Sequence, residues 1–196
     1  MKTVEPRVKF MEEDIKKCIE VLRSGGLILY PTDTIWGIGC DATNPEAVKK
    51  VYQLKKRDDS KALIVLLDSP DHIDHYIVDV PPMARELIDV AVNPLTIIYE
   101  GAYNVATNLL GEGDSLGIRL PHELFSQRLC ERYGKPVVST SANISGKPSP
   151  AVFKQIDKEI VNAVDYVVKY RQDDESVSKP SNIIKLNNDG TFKILR

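Results

Sequence analysis

The chain has 196 residues, 42% hydrophobic and 28% charged, which is enough for one substantial core and marginal for two, so a single domain over 1–196 is expected. A formal net charge of -2 argues against tight, unspecific polyanion binding, although a local basic groove can sit inside a balanced total. Three cysteines (Cys18, Cys40 and Cys130) without CxxC spacing exclude a disulfide framework and a zinc knuckle, and no segment has the apolar length of a signal peptide or membrane span, so a cytoplasmic protein is expected.

Residues 12–24 carry Ile15, Cys18, Ile19 and Leu22 at helical spacing, and Gly25 and Gly26 supply the stop. LILYP follows as a buried strand. After the polar turn PTDT, Asn44 and Pro45 form the N-cap and first residue of a helix with Ala47, Val48, Val51 and Tyr52 on one face, ending at Lys55, Lys56 and Arg57. ALIVLL, PLTIIYE, LGIRLP, KPVVSTSA and DYVVKY read as strands; PMARELIDVA and HELFSQRLCERYG read as helices. The polar connection Gly101 to Asp114 is long enough to suggest a functional loop, Ser149 and Pro150 are expected to start a further helix, and NIIKL and FKILR flank NNDGT as a hairpin. Alternating helices and strands favour a layered α/β domain with a mixed sheet.

Few standard catalytic motifs are present. There is no Walker A sequence, GIGCDA and GEGDSLG are misaligned with the dinucleotide fingerprint, Ser141 lacks a GxSxG elbow, and His72, His75 and His122 form no triad or metal pair. Three segments are more promising. In VVSTSANISGKPSP (137–150) an apolar strand opens into Ser139, Thr140, Ser141 and Asn143, a set of small donors suited to anionic oxygens; an ordinary Ser/Asn turn is the alternative. Lys55, Lys56 and Arg57 could complement a helix C-terminus, or Lys55 and Arg57 could aim together at one polyanion. PTDTIWGIGCDA has more threonine and aspartate than a turn needs, which favours a ligand wall over a plain connection with Trp36 in the core.

In their order along the chain, GGLILYPTDTIWGIGCDA, LKKRDDSKALIVLL, NPLT, GIRLP and VVSTSANISGKPSP resemble the YrdC/Sua5 family over roughly residues 10–186. The resemblance implies an α/β fold, a twisted open mixed sheet flanked by helices with a large, positively charged concave groove, in the short YrdC form without the Sua5-type C-terminal domain. It also implies an L-threonylcarbamoyladenylate synthase, a nucleotidyltransferase that makes threonylcarbamoyl-AMP and pyrophosphate from L-threonine, bicarbonate and ATP with Mg2+, and no tightly bound cofactor. The product would pass to a tRNA threonylcarbamoyl transferase complex for the N6-threonylcarbamoyl modification of adenosine 37 in ANN-decoding tRNAs.

By the same resemblance, the family's KxR and SxN pairs fall on Lys55 and Arg57 and on Ser141 and Asn143. Lys55 and Arg57 would be catalytic and would bind the nucleotide together with Ser139, Ser141, Asn143 and Ser149. Thr32, Lys61, Arg119 and Ser181 would form the threonine side, with Arg119 as carboxylate clamp. Departures from the family pattern are Asp33 and Trp36 in place of Glu and Tyr, Ala91-Val92-Asn93 before PLT, and Pro180-Ser181-Asn182 after RQDDESVSK. Two other readings stay open: a YciO-like relative without efficient synthase activity, and a module that binds tRNA or double-stranded RNA in the groove.

Overall fold

The computed structural model describes residues 4–57 and 63–196. Its elements run α1 (Val4–Arg23), β1 (Ile28–Tyr30), β2 (Gly37–Gly39), α2 (Pro45–Lys55), β3 (Ile64–Leu66), α3 (Met83–Val90), β4 (Leu95–Tyr99), β5 (Leu116–Arg119), α4 (Leu124–Tyr133), β6 (Val137–Ser141), α5 (Lys158–Ala163), β7 (Tyr166–Val167), β8 (Asn182–Leu186) and β9 (Phe192–Ile194). The strands form one mixed sheet in the order β7-β1-β2-β6-β3-β5-β4-β8-β9. The expected mixed α/β architecture is therefore present.

Local chemistry explains most boundaries. Asn44 accepts from the amides of Glu46 and Ala47, with Pro45 opening α2, and Lys56 ends it in the left-handed conformation (φ 49°). Gly134 ends α4 the same way (φ 71°), donating to Cys130 O. The helix α1 packs against α4, β1 and β7. Its buried Asp14 accepts from Tyr166 Oη and from the amides of Lys169 and Tyr170, fastening the chain beyond β7.

Two expectations are corrected, and the connection 101–114 is seen to be packed. PTDTIWGIGCDA contains a strand, β2, paired antiparallel with both β1 and β6. Its glycines serve packing: a Cβ at Gly39 would stand 2.7 Å from the Tyr30 ring and 2.9 Å from Val138 O. Ser149 and Pro150 start no helix, because Pro148 and Pro150 hold the residues before them out of the helical region; helical turns begin only at Phe153, and α5 starts from its cap Asp157. The connection 101–114 is a structural element, with buried Ala106 and Leu109, an Ala106 N–H bond to Ala42 O and an Asn108 side chain donating to Pro45 O.

Candidate functional site

Strand register builds the site. Residues directly opposite each other on paired strands share a face, as do residues two apart on one strand. Gly37 faces Ser141, Ser139 faces Ile64, Ile64 faces Gly117, and Arg119 faces Thr96, which in turn faces Ile183. One sheet face therefore carries Ser141, Ser139, Ile64, Arg119, Thr96 and Ile183 in sequence across five strands. Gly117 is the low point of this face, since a Cβ there would lie 2.9 Å from Ile64 Cγ2.

A cavity of about 240 Å³ lies on this face. Thr34, Ser139, Ser141, Ser149 and Ser181 line it, with Thr140 between the two β6 serines, together with Arg57, Arg119 and Arg196. Trp36 closes one side and packs on Phe153 with ring centroids 4.8 Å apart. Such a wall offers charge-assisted and neutral donors to several anionic oxygens at once.

Arg119 is no surface arginine. Its side chain is 4% exposed, its Nη1 donates to Thr34 Oγ1 (3.1 Å), and its Nη2 lies 3.4 Å from the Asp33 carboxylate, itself 7% exposed. Two buried atoms of this pair, Asp33 Oδ1 and Arg119 Nε, have no hydrogen-bond partner. A buried guanidinium with an unsatisfied N–H beside a cavity favours an added anionic partner such as a carboxylate or phosphate.

The two halves of the KxR and SxN pattern meet directly, though not as four groups around one ligand. Lys55 is 1% exposed; its Nζ donates to Ser141 O, to Asn143 O (2.7 Å) and to Asn143 Oδ1 (3.3 Å). Burial, with like-charge repulsion from Arg57 added, pulls its ammonium down from 10.5 to about 8. The Asn143 carboxamide is likewise turned into its own loop, accepting from Ser141 Oγ and donating to Lys147 O. Arg57 and Ser141 line the cavity, whereas Lys55 is buried and Asn143, half-buried, turns into its own loop.

Of the other expected residues, Ser139, Ser149, Arg119 and Ser181 line the cavity, and Ser181 Oγ lies 2.9 Å from Thr96 Oγ1. Lys61 lies outside the described residues. Thr32 lines an adjoining narrow cleft with Arg171, Asp174, Ser176 and Ser178; its hydroxyl donates to Ile35 O and accepts from the Thr34 amide. Thr34 takes the wall position in the cavity itself. Arg196 went unnoticed in the sequence; it reaches the cavity because the β8–β9 hairpin returns it beside Ser181, whose carbonyl accepts from Arg196 Nε at 3.0 Å. No local signal in the sequence marks it: the β8–β9 register continued would set Leu195 opposite Ile183, whereas Ile183 and Arg196 exchange backbone hydrogen bonds.

The Sua5/YciO/YrdC family model, described as telomere recombination, matches residues 20–196. The chain belongs to the Sua5/YciO/YrdC family. Among its relatives are a Methanocaldococcus jannaschii protein provisionally named a threonylcarbamoyl-AMP synthase, 37% identical over 93% of this chain and 87% of that protein, and a threonylcarbamoyl-AMP synthase of Vibrio campbellii, 30% identical over 87% of this chain and 93% of that one. The fold of P. abyssi Sua5, solved in complex with L-threonine, superposes with a TM-score of 0.82 at 25% identity, covering 93% of this chain but 53% of Sua5. E. coli YciO, at 24% identity and a TM-score of 0.78, shares the fold. The Sua5/YciO/YrdC sheet is thus the scaffold on which the cavity lies.

Proposed function

We propose that the protein is a threonylcarbamoyl-AMP synthase, condensing L-threonine, bicarbonate and ATP into threonylcarbamoyl-AMP and pyrophosphate. The observation that carries this reading is the single cavity in which Arg57, Ser139 and Ser141 of the nucleotide side share walls with Arg119 and Ser181 of the amino-acid side. The threonine complex of P. abyssi Sua5 supports it, as do the names of the relatives.

The chemistry requires no protein nucleophile. Threonine's amine attacks CO2 with loss of a proton, or bicarbonate with loss of water, to give a carbamate, and a carbamate oxygen displaces pyrophosphate at the α-phosphorus. Catalysis then consists of holding three reactants in line and stabilising negative charge with fixed donors. Arg57 and the hydroxyls of Ser139 and Ser141 would hold phosphate oxygens; the Arg119 guanidinium would hold the threonine carboxylate. No group of His, Cys, Asp or Glu among the described residues is arranged to hold a metal ion, and the Asp33 carboxylate is committed to Arg119. In this reading magnesium enters as part of the MgATP substrate, held by phosphate oxygens and water. No helix among the described residues is long and apolar enough to cross a membrane, and the reading places the protein in the cytoplasm, where its product would pass to a tRNA threonylcarbamoyl transferase complex.

The test is pyrophosphate release by the purified protein with and without threonine and bicarbonate, repeated for Arg57→Ala. Release that needs both co-substrates and falls in the variant supports the reading; threonine-independent release, or a fully active variant, refutes it.

A further inference from the structure

Lys55 stands out among the cations near the cavity because its ammonium has three hydrogens and three oxygen acceptors, all on one loop. The acceptors are Ser141 O, Asn143 O and Asn143 Oδ1. With 1% exposure and every donor engaged, it has no hydrogen left to offer a phosphate. The same loop is tied a second time to the same residue, since the Ser145 amide donates to Lys55 O at 2.8 Å. Asn143 completes the arrangement: its Oδ1 also accepts from Ser141 Oγ, and its Nδ2 closes the loop on Lys147 O.

We infer that Lys55 and Asn143 are positioning residues forming an internal latch, which fixes the 141–147 loop to the C-terminal end of α2 and so aims Ser141 and Arg57 at the nucleotide. Arg57 follows the left-handed Lys56 that ends the helix, so the direction in which it leaves depends on where Lys55 is anchored. Removing the latch leaves the ligand-facing groups in place but lowers the fraction of molecules in which they are aligned. Apparent affinity falls in proportion to that fraction, while the aligned complex reacts as before.

This inference rests on the proposed ATP site for its kinetic arm alone; a second arm needs no activity. In ligand-free protein, hydrogen exchange followed by mass spectrometry should show the amides of 142–147 in Lys55→Met exchanging about tenfold faster or more, with β1 and β3 unchanged. In the kinetic arm the KM for MgATP should rise about tenfold with kcat at saturation retained. Asn143→Ala should reproduce both changes with Lys55 present, and the double variant should be no worse than the worse single one, because both remove one unit. If Lys55→Met does not fold, Asn143→Ala carries the test alone. Unchanged exchange at 142–147 overturns the latch, as does a fall in kcat at saturating ATP with KM unchanged, or additive losses in the double variant. Faster exchange in a protein without synthase activity would refute the proposed function and leave the latch standing.

Discussion

Asp33→Ala is the substitution that most directly tests the electrostatics of the cavity floor. Asp33 and Arg119 are 7% and 4% exposed with 3.4 Å between charged atoms. At an effective dielectric constant of about 20 their attraction is about 5 kcal/mol, and removing one partner of a buried pair typically costs about 3–5 kcal/mol because the other charge is left uncompensated. Thr34 Oγ1 remains as one acceptor for Arg119, so the lower end, about 3 kcal/mol, is expected. For a chain of this size that corresponds to a fall of roughly 10 °C in Tm. The assay is urea and thermal unfolding of the parent, Asp33→Ala, and Asp33→Ala combined with Arg119→Met. The combination should recover most of the loss, since the stranded cation is gone. L-Threonine should raise the Tm of Asp33→Ala more than that of the parent, because its carboxylate becomes the sole counter-ion for Arg119. A single variant within about 1 kcal/mol of the parent would refute the reasoning, because it would mean that Arg119 does not depend on Asp33 for its charge balance.

Gly39→Ala should destabilise by about 1–3 kcal/mol by denaturant unfolding, and by more than Gly117→Ala, since its Cβ meets the Val138 carbonyl at 2.9 Å whereas Gly117 meets only side chains. L-Serine should replace L-threonine in pyrophosphate release with a kcat/KM lower by about 10–200-fold, the worth of one methyl group in a pocket; equal rates would exclude a pocket built around that methyl. Asp174 is held down at about 2, by hydrogen bonds from Ser176 and by Arg171, against 3.8 for an ordinary aspartate. Because its folded value is depressed, its contribution is complete above about pH 4 and is lost as pH falls toward 2, so the protection of the Ser176 amide relative to its intrinsic exchange rate should fall across that window and stay flat in Asp174→Asn.

The elements that could be read from the sequence are those whose signals are local. Asn44-Pro45 and Gly134 announced helix ends because capping is decided by a residue and its near neighbours. The strand β2 was hidden because three residues, two of them glycine, carry no alternation; its glycines answer to Tyr30 and Val138, which only the assembled sheet brings close. Ser149-Pro150 misled in the opposite way, since Ser-Pro is a good helix start only where a second proline does not hold the chain extended.

The site divides along the same line. That Ser139 and Ser141 share a face follows from the strand period alone, and so does the pairing of Gly117 with Arg119. Whether a cation near that face meets ligand or protein is a non-local matter, decided by how the helix ends. Lys55 is the last residue of α2 and lies on its buried side with Val48, Val51 and Tyr52, so its stem runs under the sheet end and its ammonium meets carbonyl oxygens. Arg57, two residues on, lies beyond the left-handed Lys56, and the reversal there turns it to the cavity. Two cations spaced for the same ligand in sequence are thereby assigned opposite sides of one wall, and the single residue that separates their roles is Lys56. A β-branched residue cannot adopt its φ of 49° without strain, so Lys56→Val should disturb Arg57 more than Lys55, raising the KM for MgATP while leaving exchange at Ser145 close to that of the parent.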